Sequence, residues 1–157
     1  MTILKSLVAA ALLAIATTAA KADDLAPVKA FYTFLSNPTS EQAAADAKAG
    51  MADNWVSIGD YSGAEKSREK FLKQIAGFGQ LVPDMNWEIA EMIVAADRVI
   101  VRGRATGTPK GPMFGVDGQG RSFEIMSIDI HTLKDGKVIK TYHVEDWAGA
   151  LRQLSGK

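Results

Sequence analysis

The chain has 157 residues with 18 basic and 18 acidic side chains, two histidines and no cysteine. That balance excludes a nucleic-acid binder built on a basic face, because no basic stretch with interleaved aromatics is present. It also excludes disulfides and cysteine-based zinc sites, and two histidines twelve residues apart give a weak metal signature, so no metal and no cofactor is expected.

The chain opens on Lys5, an apolar Ala- and Leu-rich run from Ser6 to Ala20, and Ala20-Lys21-Ala22, a small-x-small pattern. This reads as a signal peptide over residues 1–22, cleaved before Asp23; the run is short of the roughly 20 residues of a spanning helix. The expected product is an exported, periplasmic or secreted protein without a membrane anchor. Residues 23–157 would form one domain, with 16 basic against 18 acidic residues, a net charge of −2.

Within that domain, Val28, Phe31, Phe34 and Leu35 recur at helical spacing from Pro27, and Asn37-Pro38 ends the helix. Ser40 is a candidate N-cap for an alanine-rich second helix that stops at Gly50. Asn54 to Gly59, carrying Trp55, reads as extended. Ser67 to Phe78 reads as a third helix with Phe71, Leu72, Ile75 and Phe78 on one face. Pro83-Asp84 turns the chain, and the period then changes to strands: Trp87–Ile93, a turn at Ala96-Asp97, Arg98–Thr108, a Gly- and Pro-rich loop holding Met113 and Phe114, Ser122–Leu133 and Val138–Val144. Asp146 is the N-cap of a short last helix. Helices followed by a meander of antiparallel strands imply an α+β fold with an apolar pocket on the helix-covered face of a curved sheet.

GTPKGPMFGVDGQGRSFEI resembles the loop-and-strand segment of SnoaL-like polyketide cyclases, and DGKVIKTYHVEDWAGALRQL resembles their C-terminal strand and Leu-x-Gln-Leu helix. NWVSIGD and LVPDMNWEI fit upstream, so the resemblance runs from Met51 to Leu154. It implies the nuclear-transport-factor-2-like architecture: a conical barrel of curved antiparallel sheet on three N-terminal helices with a short C-terminal helix, usually dimeric. It also implies cofactor-free acid–base chemistry in the family's enzymes. The cyclases carry an Asp seven residues after the turn glycine and a His seven residues before it. Those positions are His143 and Asp129 here, the two residue types exchanged. The polar position two residues earlier is Ser127.

On this reading His143 is the general base or acid, with Asp129 fixing its tautomer. Trp55, Phe31 and Phe114 supply apolar walls for a small hydrophobic carbonyl ligand, and Ser127 a hydrogen bond. The expected reaction is a cyclisation or isomerisation; the alternative is a non-catalytic binding module with the same pocket. His131 reads as a solvated strand residue, Arg98, Arg102 and Arg104 as a solvated strand face, and Asp60 as support for a turn.

Whether Asp129 and His143 meet depends on register, because a one-residue slip reverses the faces. A two-residue turn at Asp135-Gly136 sets Asp129 opposite Tyr142 and turns His143 away. A three-residue turn bulged at Gly136 sets Asp129 opposite Thr141 and Ser127 opposite His143, on one face. The second leaves Met126, Ile128, Ile130, Tyr142 and Val144 on an apolar outer face that a homodimer would cover.

Overall fold

The structure is a computed structural model that describes residues 25–156. The leader expected over residues 1–22 and its cleavage point lie outside the described residues. Among those described, no helix is long and apolar enough to cross a membrane.

Helix α1 (Ala26–Ser36) starts with proline in its first turn, where a missing N–H costs nothing, and buries Val28, Phe31, Tyr32, Phe34 and Leu35. In α2 (Glu41–Gly50) the Ser40 hydroxyl accepts the Ala43 N–H as expected of an N-cap. Strand β1 (Met51–Ile58) follows directly, and two-residue β2 (Lys66–Ser67) leads into α3 (Arg68–Leu81), which Ser67 caps. Strands β3 (Asn86–Ala95), β4 (Arg98–Gly107), β5 (Phe123–Lys134) and β6 (Lys137–Glu145) form the body of the sheet. Asp146 caps α4 (Trp147–Ser155) by accepting the Gly149 N–H.

The sheet order is β2-β1-β6-β5-β4-β3. The sheet is mixed: β3 to β6 form the expected antiparallel meander, but β1 runs parallel to β6. This corrects the all-antiparallel expectation. A parallel neighbour needs a long crossover, here α3 and the whole of β3 to β5, a pairing that no local pattern announces. The inner face carries Val99, Val101, Ala105, Phe123, Ile125 and Val138, all buried with the helix side chains in one core.

The β5–β6 hairpin follows neither expected register. Asp135 (φ 51°) and Gly136 (φ 71°) form a two-residue turn with both central residues left-handed, and Lys134 pairs with Lys137. Leu133 then pairs with Val138 but Thr132 with Lys140, so Ile139 is an extra residue bulged out of β6. Beyond the bulge Asp129 lies directly opposite His143, and Ser127 opposite Glu145. The tip is thus the first alternative, and a bulge three residues past Gly136 restores the shared face of the second.

Candidate active site

A cavity of about 160 Å³ lies between the sheet's inner face and α1 and α3, with Trp147 of α4 and Phe114 at its mouth. Its walls are aromatic: Phe31 stacks on Phe71 at 4.9 Å between centroids, and Trp147 meets Phe78 at 5.7 Å and Phe114 at 5.8 Å. Phe114 is presented by a tight turn, Phe114-Gly115, closed by reciprocal Met113 and Val116 backbone bonds. Both central residues have positive φ, 49° and 84°. Asp129, His143 and Glu145 converge on the cavity from β5 and β6.

Of the residues expected at the site, Asp129, His143, Phe31 and Phe114 line the cavity. Trp55 and Ser127 do not. Each is 1 % exposed and lies one layer behind the wall. The expected Asp129–His143 hydrogen bond is also replaced: His143 Nδ1 pairs with Glu145 Oε1 at 2.7 Å. Strand alternation explains the change of partner: Glu145 lies two residues along the same face as His143, within reach of its ring. The spacing His143-x-Glu145 was the available signal for this partner. His131 is corrected as well: it is fully buried, not solvated. Strand alternation from Asp129 places it on the inner face, where Tyr32 of α1 reaches down to it.

Those buried polar groups form two directed chains. An indole N–H can only donate. Trp87 Nε1 donates to Ser127 Oγ (3.1 Å), which leaves the Ser127 hydrogen for Asp129 Oδ2 (3.3 Å). Trp55 Nε1 donates to Thr141 Oγ1 (3.1 Å), so Thr141 donates to His131 Nδ1 (3.0 Å). The His131 proton is then on Nε2, facing Tyr32 Oη (3.1 Å), and Tyr32 donates to Asp129 Oδ2 (2.8 Å). Both chains end on one carboxylate oxygen as donors. Oδ2 is therefore saturated as an acceptor, and a proton on Asp129 belongs on Oδ1, which has no partner among the described residues and faces the cavity.

Electrostatics follow from the same geometry. Burial pushes Asp129 up to about 7, with Glu145 adding to it and the Tyr32 hydrogen bond opposing it. Burial holds His131 down at about 3, so it is neutral and fits its single-proton place in the chain. Tyr32 is raised far above the usual phenol range by burial and by Asp129, so it remains a donor. The hydrogen bond it donates to Glu145 raises His143 against the effect of burial. With Nδ1 engaged by Glu145, the free His143 nitrogen is Nε2, and Gly59 lies against it: a Cβ at Gly59 would stand 3.0 Å from Nε2. Among the described residues no group of three His, Cys, Asp or Glu side chains is placed to hold a metal ion.

Other expectations hold in the geometry. Asp60 accepts the Ser62 N–H of its turn. Arg98, Arg102 and Arg104 are exposed and paired with Asp97, Glu91, and Glu88 and Glu124. Tyr32, Thr141 and Trp147 were missed as site residues because each reads in sequence as ordinary core or cap-adjacent residue.

The fold has solved counterparts. TsrD from Streptomyces laurentii superposes with a TM-score of 0.74 at 20 % identity, covering 88 % of this chain and 98 % of its own. A candidate SnoaL-like polyketide cyclase from Jannaschia sp. CCS1 superposes at 0.73 with 20 % identity, covering 86 % and 93 %. IdmH, a candidate polyketide cyclase from Streptomyces antibioticus, superposes at 0.71 with 22 % identity, covering 83 % and 97 %. No curated protein matches the chain in sequence. The family model for SnoaL-like polyketide cyclases matches residues 29–154. The chain belongs to the SnoaL-like polyketide cyclase family.

Proposed function

We propose that this protein is a cofactor-free acid–base catalyst of the cyclase or isomerase type, acting on a small hydrophobic carbonyl compound in the aromatic cavity. The observation that carries the reading is the direct opposition of Asp129 and His143 on the cavity wall, each served by its own partners. Two titratable groups with different environments can divide acid and base roles. His143 Nε2, backed by Glu145, takes the proton from the carbon next to the substrate carbonyl. Asp129 Oδ1, protonated over a useful fraction of molecules near pH 7, gives a proton to the carbonyl oxygen. The enol so formed either regains a proton elsewhere, an isomerisation, or attacks a second carbonyl of the same molecule, a cyclisation. This assignment turns Asp129 from an orienter of His143 into the acid.

The test needs no knowledge of the natural substrate. A panel of small cyclic ketones in D2O, followed by proton NMR, should show exchange at the α-carbon with the native protein and none with His143→Gln or Asp129→Asn. Saturable binding without exchange by the native protein would favour a binding module instead. We further propose that the protein is exported, on the leader pattern of residues 1–22, and that it forms a homodimer over the outer sheet face. Met126 (56 %) and Val144 (60 %) are exposed there beside Tyr142. Sedimentation of Val144→Asp as a smaller species than the native protein would support the dimer, and identical sedimentation would remove it.

A further inference from the structure

One end of the cavity is polar and has no protein partner. Ser57 of β1 pairs directly with Lys66 of β2, and both side chains line the cavity. Ser57 is only 4 % exposed, and its hydroxyl, which makes no hydrogen bond among the described residues, keeps accessible surface on the cavity, since no fully buried side-chain polar atom among them lacks a partner. Lys66 is half-buried and forms no ion pair among them. Gln74 of α3, an exposed residue, adds a side-chain amide to the same wall. A hydroxyl, an ammonium and an amide facing one space offer convergent donors.

We propose that Ser57, Lys66 and Gln74 form a carboxylate-binding subsite, so that the ligand of this cavity is a small organic acid with its apolar ring against the aromatic wall. The inference rests on the reading above that the cavity is the ligand site, and it names the class of ligand. Charge supports an anion. Lys66 is the lone lysine on the cavity wall and makes no ion pair among the described residues, Glu145 being held by His143. The outer side of this end is rimmed by Asp60, Glu65 and Lys70. Asp60 is held by its own turn, and neither it nor Glu65 forms an ion pair with Lys66 among the described residues. A single cation with two neutral donors suits a singly charged carboxylate better than a dianionic phosphate. Size sets the ring count: a dry cavity of roughly 150 Å³ accepts benzene, and this one is about 160 Å³. A one-ring oxo-acid fits, with its carboxylate at Lys66 and its carbonyl toward Asp129 and His143.

Calorimetry with cyclohexanecarboxylate and its methyl ester tests this at neutral pH, since the two share a skeleton and differ in charge. The native protein should bind the acid about tenfold more tightly than the ester, the scale of one charge-assisted hydrogen bond. Lys66→Met should bring the acid down to the affinity of the ester, and Ser57→Ala should weaken the acid by about threefold. Equal affinities in the native protein, an unchanged ratio in Lys66→Met, or no binding of either compound would overturn the subsite. The catalytic reading fails separately: a protein that keeps the acid preference but exchanges no ketone loses the enzyme and retains the subsite.

Discussion

Replacing Asp129 by Asn removes the ionisation of a buried carboxyl while keeping its shape. The amide oxygen can accept from Tyr32 and Ser127 as Oδ2 does, and the amide nitrogen faces the cavity in place of Oδ1. In the native protein the carboxyl titrates at about 7, against an ordinary 3.8. A folded value above the unfolded one means that the fold binds more protons between the two. Stability is then lost as pH rises through that window. At about 1.4 kcal/mol per pH unit the interval amounts to about 4 kcal/mol. Asp129→Asn should match the native protein near pH 4 and exceed its stability by about 4 kcal/mol near pH 8, while losing α-proton exchange. Urea denaturation at both pH values measures this directly. His143, Glu145, Tyr32 and Ser127 face the carboxyl in both proteins, so the difference between the two curves isolates Asp129. Parallel pH dependences would refute the reasoning, because they would mean that Asp129 is ionised in the fold at no cost.

His131 should act in the opposite direction. Its folded value of about 3 lies below the ordinary 6.5, so its contribution is complete above about pH 6.5 and is lost as pH falls, by about 3 kcal/mol at pH 4.5. His131→Gln should flatten that acid slope in denaturation experiments. Glu145→Gln removes the hydrogen-bonded charge that raises His143, and the His143 titration followed by NMR should move down. Gly59→Ala should force the His143 ring to shift, since the added Cβ would meet Nε2 at 3.0 Å. Exchange activity should fall at least about tenfold, with a melting temperature close to native.

The helices and the four-strand meander were legible because each carries its own period and punctuation: Ser40 and Asp146 cap as their sequence positions imply. The site was legible only in part. Asp129 and His143 could be named from the resemblance, but their opposition rests on a bulge at Ile139, in Lys137-Val138-Ile139-Lys140, where no glycine or proline marks it. Alternation along β6, not the bulge, gave His143 the partner Glu145. Non-local contacts were the other blind spot. Nothing in NWVSIGD shows that its strand runs parallel to the last one, so Trp55 was taken for a wall when it anchors a hydrogen-bond chain from behind. His131 was misjudged because nearness to a hairpin tip outweighed alternation, although alternation alone puts it beneath α1.

The central claim is that Asp129 holds a proton near neutrality on the oxygen that faces the cavity. Carbon-13 NMR of the Asp129 carboxyl in the native protein, assigned by its loss in Asp129→Asn, reads that proton directly. A midpoint of about 7 is expected; a midpoint near 3.8 would mean that Asp129 is ionised at neutrality.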